Sequence, residues 1–460
     1  MTSFSDITLD FNNMMADRVG PGGIQVSEID ELIPGLRQIY QGHTDLRRLG
    51  QLPFRDLPYQ EEQVELILKV ARKIREQFES VLLLGTGGSS LGAAFLLQAL
   101  RPEGDRSPRI EICEDLHPHT WKLMTERLSE KKTFLVVVSK SGKTIETLAA
   151  FLFFRKWMIE KVGEETYKKS VLFITDPQKG PLRRIAESEK IETLSVPPGV
   201  GGRYSILSTV GLIPTACVGI EIREIMAGAR RMDQRCQRED VWMNPAEMSA
   251  ALHYLLDLKR RKKLRVIMPY DDRLRAYTDW FAQLWAESLG KRFSLKGEEV
   301  RAGSTPVKAQ GSIDQHSQLQ LYLEGSQDKT VTLIAVEQPA VDYRIPQAYE
   351  NIPEFSLLVN KGTQQLLTIQ RRSTEAALSQ VGCPNMTIEL KSVNPYTIGQ
   401  LLYLAEVETI FAGTLYNINP FDQPGVELIK NYIRGFLGEP EYRKYRQVVE
   451  GNKKDSRYTI

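Results

Sequence analysis

The apolar positions of this chain follow two rhythms that alternate along most of its length. Residues 61–79, EEQVELILKVARKIREQFE, set Val64, Ile67, Leu68, Ala71, Ile74 and Phe78 at helical spacing, which predicts an amphipathic helix. From there short apolar runs take over, at 81–84, 110–113, 133–138, 171–175 and 193–196, separated by helical stretches. Runs this short, with helices between them, fit strands buried on both faces of a parallel sheet. A second series starts at 264–268 and continues at 319–323, 330–336 and 386–390. The predicted fold class is α/β, with two doubly wound parallel-sheet units at 61–215 and 255–425 and a helical connection at 216–254. Residues 1–60 read as mostly helix and loop, with turn signals at Gly20-Pro21-Gly22-Gly23 and near Pro53. Residues 426–460 read as a helix and a loose tail.

Composition acts by exclusion. A chain of 460 residues, 42% hydrophobic and 26% charged, is an ordinary globular protein that buries a large core without staples. Sixty Lys+Arg against 58 Asp+Glu leave +2, whereas a nucleic-acid reader carries a clearer basic excess. The dense basic run Lys259-Arg260-Arg261-Lys262-Lys263 reads as a solvated helix end before a strand, with a local anion or RNA contact as the lesser reading. Cys113, Cys217, Cys236 and Cys383 form no CxxC pair, so a zinc ribbon is unsupported, and scattered thiols suit a reducing cytosol. The N-terminus has neither the basic start nor the apolar core of a signal peptide. No apolar run approaches the ~20 residues that span a bilayer. A cytoplasmic protein with no nucleic-acid or membrane partner is expected.

Six segments carry candidate chemistry. Gly85-Thr-Gly-Gly-Ser-Ser-Leu-Gly92 lies between a strand and a helix, where glycines admit a ligand close to the backbone and a helix N-terminus favours an anion. Ser90 occupies the third glycine position of the dinucleotide fingerprint, so that match fails; a plain tight turn is the competing reading. Val138-Ser-Lys-Ser-Gly-Lys-Thr-Ile-Glu-Thr147 offers the hydroxyls of Ser139, Ser141, Thr144 and Thr147 after a second strand. Such hydroxyls and helix-start amides can surround a phosphate, or simply cap a helix. Both loops leave strands at the sheet edge where α/β folds take ligands, which favours a small phosphorylated ligand over a nucleotide. Pro198-Gly-Val-Gly-Gly-Arg203 brings an arginine suited to an oxyanion or to a structural ion pair. In the helix around Trp280 and Trp285, Tyr277, Trp280, Phe281, Leu284, Trp285 and Ser288 form the apolar face. At roughly 100° per residue, Glu287 projects only about 20° from Trp280, which makes it a candidate base on the edge of the buried face, with Gln283 one turn earlier. Of five histidines, His316, just before an apolar segment, is the best proton carrier near neutral pH. His253 reads as a hydrogen-bonded core imidazole. Asn419-Pro-Phe-Asp-Gln-Pro-Gly425 turns into a helix bearing Lys430.

Taken in order, the segments GTGGSSLG (85–92), SKSGKTIET (139–147), VGGRYS (200–205), QLWAESLGK (283–291), QHSQLQL (315–321) and NPFDQPGVELIK (419–430) resemble the glucose-6-phosphate isomerase (phosphoglucose isomerase) family in its compact bacterial form. The resemblance implies two sugar-isomerase (SIS-like) domains. It implies Glu287 as the base that moves a proton between C2 and C1 through a cis-enediol, and Arg203 as stabiliser of the enediolate. His316 and Lys430 match the ring-opening groups, the histidine being donated by the other subunit of a homodimer. Gly88, Ser89, Ser139, Lys140, Ser141, Thr144 and Thr147 match phosphate and sugar contacts, and Gln283 and Gln423 further site contacts. Lys143 and Ile145 stand where the family pattern has threonines; the first is expected at the surface, the second packed inward.

An aldose–ketose isomerisation needs a carboxylate base, ring-opening groups and oxyanion stabilisation, and neither a metal nor a redox cofactor is expected. Two other readings stand beside it. A non-catalytic phosphosugar-binding regulator would need the first two loops but not Glu287, His316 and Lys430. A related isomerase for another sugar phosphate, such as mannose 6-phosphate, would need them all.

Overall fold

The computed structural model describes residues 6–101, 108–129, 132–349, 351–452 and 454–460. Twelve strands run among the described residues in chain order: β1 (Thr8–Asp10), β2 (Ser80–Leu84), β3 (Arg109–Cys113), β4 (Thr133–Ser139), β5 (Val171–Thr175), β6 (Glu192–Ser195), β7 (Leu264–Pro269), β8 (Lys291–Phe293), β9 (Glu299–Ala302), β10 (Thr305–Lys308), β11 (Lys329–Val336) and β12 (Asn385–Leu390). The first sheet has the order β3-β2-β4-β5-β6 and is parallel throughout. The second has the order β1-β12-β11-β7-β10; its pairings are parallel except that β1 runs antiparallel to β12. Every residue of β4, β5 and β11 is buried, the consequence of helices on both faces.

Three elements depart from the sequence reading. Residues 319–323 form a helix, Leu319–Glu324, and not a strand. Leu319, Leu321 and Leu323 alternate like a strand, but Leu319, Tyr322 and Leu323 also share a helical face, and these three pack into the core beside Tyr270 and Leu378. The strand that does fill that edge is β10, whose sequence TPVK carries little apolar signal and a proline, both expected of an edge strand. Residues 8–10 lie within the segment read as helix and loop, yet β1 extends the second sheet.

The helices Ile222–Cys236 and Pro395–Leu415 share one hydrophobic core with residues of both sheets. Their backbones touch: a Cβ added at Gly228 would lie 1.9 Å from the Tyr396 carbonyl oxygen, and one at Gly399 2.0 Å from that of Ile225. Close crossing of this kind leaves no room for any side chain. The N-terminal segment is fastened to this pair by the buried Asp233. Its carboxylate accepts from Arg47 (2.9 Å), Arg55 (2.8 Å) and the Tyr403 hydroxyl (2.6 Å).

The basic run at 259–263 ends the helix Pro245–Arg260, but it is not simply solvated. Arg260 pairs with Glu28 at 2.6 Å, and Lys262 is buried with its ammonium on the Gln327 carbonyl at 2.7 Å. These cations bind the protein's own acceptors. No described helix is long and apolar enough to cross a membrane.

Candidate active site

In the first sheet the chain leaves β2 toward β3 and leaves β4 in the opposite direction. The crevice beyond the carboxyl ends of β2 and β4 is therefore the topological switch point, where open α/β sheets take ligands. The loops at 85–92 and 139–147 are the two that flank it.

Close contact makes these loops and the segment around Arg203 one body. A Cβ at Gly88 would lie 2.3 Å from the Gly202 carbonyl carbon and 2.7 Å from the Arg203 nitrogen, and one at Gly87 2.9 Å from the Gln283 amide nitrogen. Lys140 donates to the Val200 carbonyl at 2.8 Å, and burial holds its pKa below the usual lysine value. In the second loop Ser139 Oγ lies 3.2 Å from Thr144 Oγ1 and accepts from the Gly142 amide at 3.1 Å. Ser141 Oγ accepts from the Lys143 amide at 3.1 Å. Thr144 is the N-cap of the 18-residue helix Ile145–Val162, and its side chain makes no capping bond. The Thr147 hydroxyl is buried and makes no hydrogen bond among the described residues. Hydroxyls and amides thus converge on a helix N-terminus, the electrostatics an anion prefers. Ser89 is half-buried at the turn of the first loop, Lys143 is exposed and Ile145 half-buried.

The helix Tyr277–Leu289 carries the carboxylate. Its aromatic face is held from below by Arg265, whose guanidinium lies 4.3 Å from the Trp285 ring centre and 4.8 Å from that of Phe281, and pairs with Glu408 at 2.8 Å. Glu287 is left at the edge of that face, its side chain 33% exposed. Gln283 donates to Glu287 Oε1 at 3.2 Å.

Arg203 is almost completely buried, and all five of its N–H groups are used. Nε donates to Ser288 Oγ (2.8 Å). Nη1 donates to Glu287 Oε2 and to Gln423 Oε1 (3.1 Å each). Nη2 donates to the carbonyls of Pro420 (2.7 Å) and Asp422 (3.1 Å). One side chain thereby joins the glycine loops, the helix bearing Glu287 and the 419–423 turn.

At the switch point, loops rich in hydroxyls and amides thus lie against the segments that carry the carboxylate–guanidinium pair. The family model described as phosphoglucose isomerase matches residues 71–451. The chain belongs to the phosphoglucose isomerase family. It is 39% identical to a glucose-6-phosphate isomerase of Carboxydothermus hydrogenoformans, over 99% of both chains. It is also 39% identical to that of Rubrobacter xylanophilus, over 95% of this chain and 100% of the relative. The crystal structure of a hypothetical protein from Thermus thermophilus superposes with a TM-score of 0.83 at 33% identity, covering 94% of this chain and 100% of that one. A glucose-6-phosphate isomerase from Chlamydia trachomatis shares the fold, with a TM-score of 0.75 at 24% identity over 85% of this chain and 77% of that one.

Not every residue expected at a phosphoglucose isomerase site meets the others within one chain. His316 ends a short 3-10 turn and is exposed, and its side chain makes no hydrogen bond or ion pair among the described residues. Its neighbour Gln315 is the anchored one, bonded to Tyr270 (2.8 Å) and Thr374 (2.5 Å). Lys430 lies on the helix Pro424–Phe436 with its ammonium 2.6 Å from Glu427, both side chains more than half exposed. His253 is a buried imidazole, 3.4 Å from the Thr330 hydroxyl.

Three participants lie outside the sequence reading. Ser288 counts there only as part of the apolar face, yet its hydroxyl holds Arg203 and also meets the Tyr204 hydroxyl at 3.0 Å. A lone serine on a buried aromatic face signals such a bond, since a buried hydroxyl needs a partner. Tyr204 itself and Lys291, buried directly after the helix, have no role in that reading.

Proposed function

We infer that this protein interconverts glucose 6-phosphate and fructose 6-phosphate by aldose–ketose isomerisation, in line with its relatives' names. The observation that carries the chemistry is the Arg203–Glu287 pair at 3.1 Å. Glu287 takes the proton from C2 and returns it to C1, with a cis-enediol(ate) between. As the carboxylate gains that proton it loses its claim on the guanidinium, while the enediolate oxygen acquires negative charge. Arg203 stays still and its positive charge serves first one anion, then the other. A fixed, buried cation costs no reorganisation at the moment of reaction. Gln283 and Gln423, both bonded within this pair, orient it. The phosphate sits on the 139–147 loop, with Ser139, Ser141, Thr144, Thr147, Lys140 and the amide of Gly88 and hydroxyl of Ser89 around phosphate and sugar.

His316 and Lys430 open the sugar ring. The unpartnered side chain of His316, with no bond to the Glu287 cluster, supports a site completed by a second copy of the chain, so the working form is a homodimer in the cytoplasm. Two sugar-isomerase domains, 61–215 and 255–425, with the helical segments 1–60, 216–254 and 426–460 around them, are the proposed organisation. Neither metal nor cofactor takes part in this scheme.

The test is a coupled assay. Protein in EDTA with fructose 6-phosphate, glucose-6-phosphate dehydrogenase and NADP⁺ is expected to generate NADPH absorbance. No signal from protein that still binds sugar phosphate by calorimetry would refute the isomerase reading in favour of a phosphosugar-binding regulator. A preference for mannose 6-phosphate would move the substrate but keep the chemistry.

A further inference from the structure

Lys291 is a buried lysine that no step above uses. It begins β8, two residues beyond the end of the helix that carries Glu287, and its side chain is only 4% exposed. Its ammonium donates to the carbonyls of Glu287 (2.7 Å) and Ser288 (2.8 Å), two of the carbonyls that a helix end leaves without partners. Its third direction faces Asp422 Oδ1 at 3.7 Å. Asp422 belongs to the same turn whose backbone carbonyls receive Arg203 and whose next residue, Gln423, meets Nη1. A lysine at a helix C-terminus is favoured by the helix dipole, but an exposed one would serve that purpose. Burial of this one, between the last turn of one element and the turn before another, points to a mechanical role.

We propose that Lys291 is a positioning residue that ties the Glu287 end of its helix to the 419–423 turn, so that carboxylate, guanidinium and Gln423 keep one geometry through the proton transfer. The role rests on the isomerase reading. Without the tie, the polar link between the helix end and the turn falls to Arg203, beside Tyr204, which meets Ser288 and Phe421, and Arg203 Nη1 is the group that must exchange one anion for another during turnover. Lys291 carries the load that lets Arg203 do so without the turn moving.

The charged groups facing Lys291 are Arg203, Asp422 and Glu287. Burial, and then the Arg203 charge, push its ammonium down to about 8, against the opposite pull of Asp422 and Glu287. Deprotonation leaves two N–H donors for the helix carbonyls and ends the attraction to Asp422. The tie therefore loosens on the alkaline side, within reach of a kinetic experiment.

The experiment compares wild type, Lys291→Met and Asp422→Asn in the fructose 6-phosphate assay across pH, with thermal melts alongside. In folded Lys291→Met, kcat is expected to fall on the order of 10²-fold, the scale of a misplaced reacting group, while KM changes by less than about threefold because the phosphate loop is untouched. Asp422→Asn keeps the backbone carbonyls that hold Arg203. It removes the counter-charge, lowers the Lys291 pKa and is expected to move the alkaline limb of kcat to lower pH. A purely structural lysine would move neither the kcat-to-KM split nor the limb. Wild-type kcat in a folded Lys291→Met, or an unmoved limb in Asp422→Asn, overturns the role; if Lys291→Met fails to melt cooperatively, the Asp422→Asn limb decides alone. An inactive wild type would instead overturn the isomerase reading itself, and this role with it.

Discussion

Arg203→Lys separates charge from geometry at the centre of the site. The substitution keeps a positive charge in the same pocket. The arginine uses five donors, on Ser288, Glu287, Gln423 and the carbonyls of Pro420 and Asp422. An ammonium has three donors from one point, so at least two acceptors lose their partner. Each orphaned buried acceptor costs about 1–3 kcal/mol. Glu287, Gln423 and Asp422 reach water more easily than Ser288 and Pro420, so the lower end applies and about 2 kcal/mol of stability is lost. Turnover suffers more. An ammonium cannot address Glu287 and the developing enediolate from a fixed plane, and removing one positioned oxyanion donor typically costs about 10²–10³ in kcat. The measurement is kcat and KM for fructose 6-phosphate together with urea unfolding of both proteins. A lysine variant within about threefold of wild-type kcat would show that a positive charge suffices and that the five-donor fork is not needed.

Other outcomes follow from the same geometry. Gly88→Ala must push the 85–92 loop off Gly202, because the new Cβ would sit 2.3 Å from a backbone carbon; kcat should drop on the order of 10²-fold, and unchanged kinetics would mean the loops need not touch. If His316 is shared between subunits, mixing inactive His316→Ala with inactive Glu287→Gln under subunit exchange should restore part of the activity through heterodimers, and no recovery would place both groups in one chain's site. Glu247 is wholly buried with no partner for either carboxyl oxygen among the described residues, and burial, helped by Asp240 and Glu239, pushes it up to about 8 from an ordinary 4.5. A folded-state pKa raised above the unfolded one gives a contribution that is complete below about pH 4.5 and lost as pH rises to about 8. Glu247→Gln should therefore gain stability relative to wild type progressively across that window and no further above it; a difference in urea midpoints that ignores pH would show the carboxyl is not held neutral.

Most of the first sheet was legible because its central strands β2, β4 and β5 are apolar and almost wholly buried. The run at 171–175 is a strand with those bounds, and the run at 81–84 gains only Ser80. The edges of the second sheet were not legible. β10 and β1 have few apolar side chains to bury and gain their order from a neighbouring strand, a non-local cause that no local pattern records. Residues 319–323 satisfied two periodicities at once, and packing against Tyr270 chose the helix. At the site, helical phase alone put Glu287 on the boundary of the buried face, where it lies. What phase could not give is the partner: Arg203 is 84 residues away, Ser288 bonds to Arg203 and Tyr204, and Lys291 meets Asp422 only once the 419–423 turn is in place. His316 and Lys430 could be named from motif similarity, but neither bonds to Glu287 within this chain.

Everything proposed for this site depends on Glu287 being the group that moves the proton. Glu287→Gln preserves size and can still accept from Arg203 or Gln283, so a sugar phosphate measured by calorimetry should bind within a few-fold of wild type. Turnover of fructose 6-phosphate in EDTA should fall by about 10²–10⁴-fold, the contribution of a positioned general base. Near-normal turnover in that variant, with binding intact, would contradict the account and leave Glu287 as a boundary carboxylate held by an arginine.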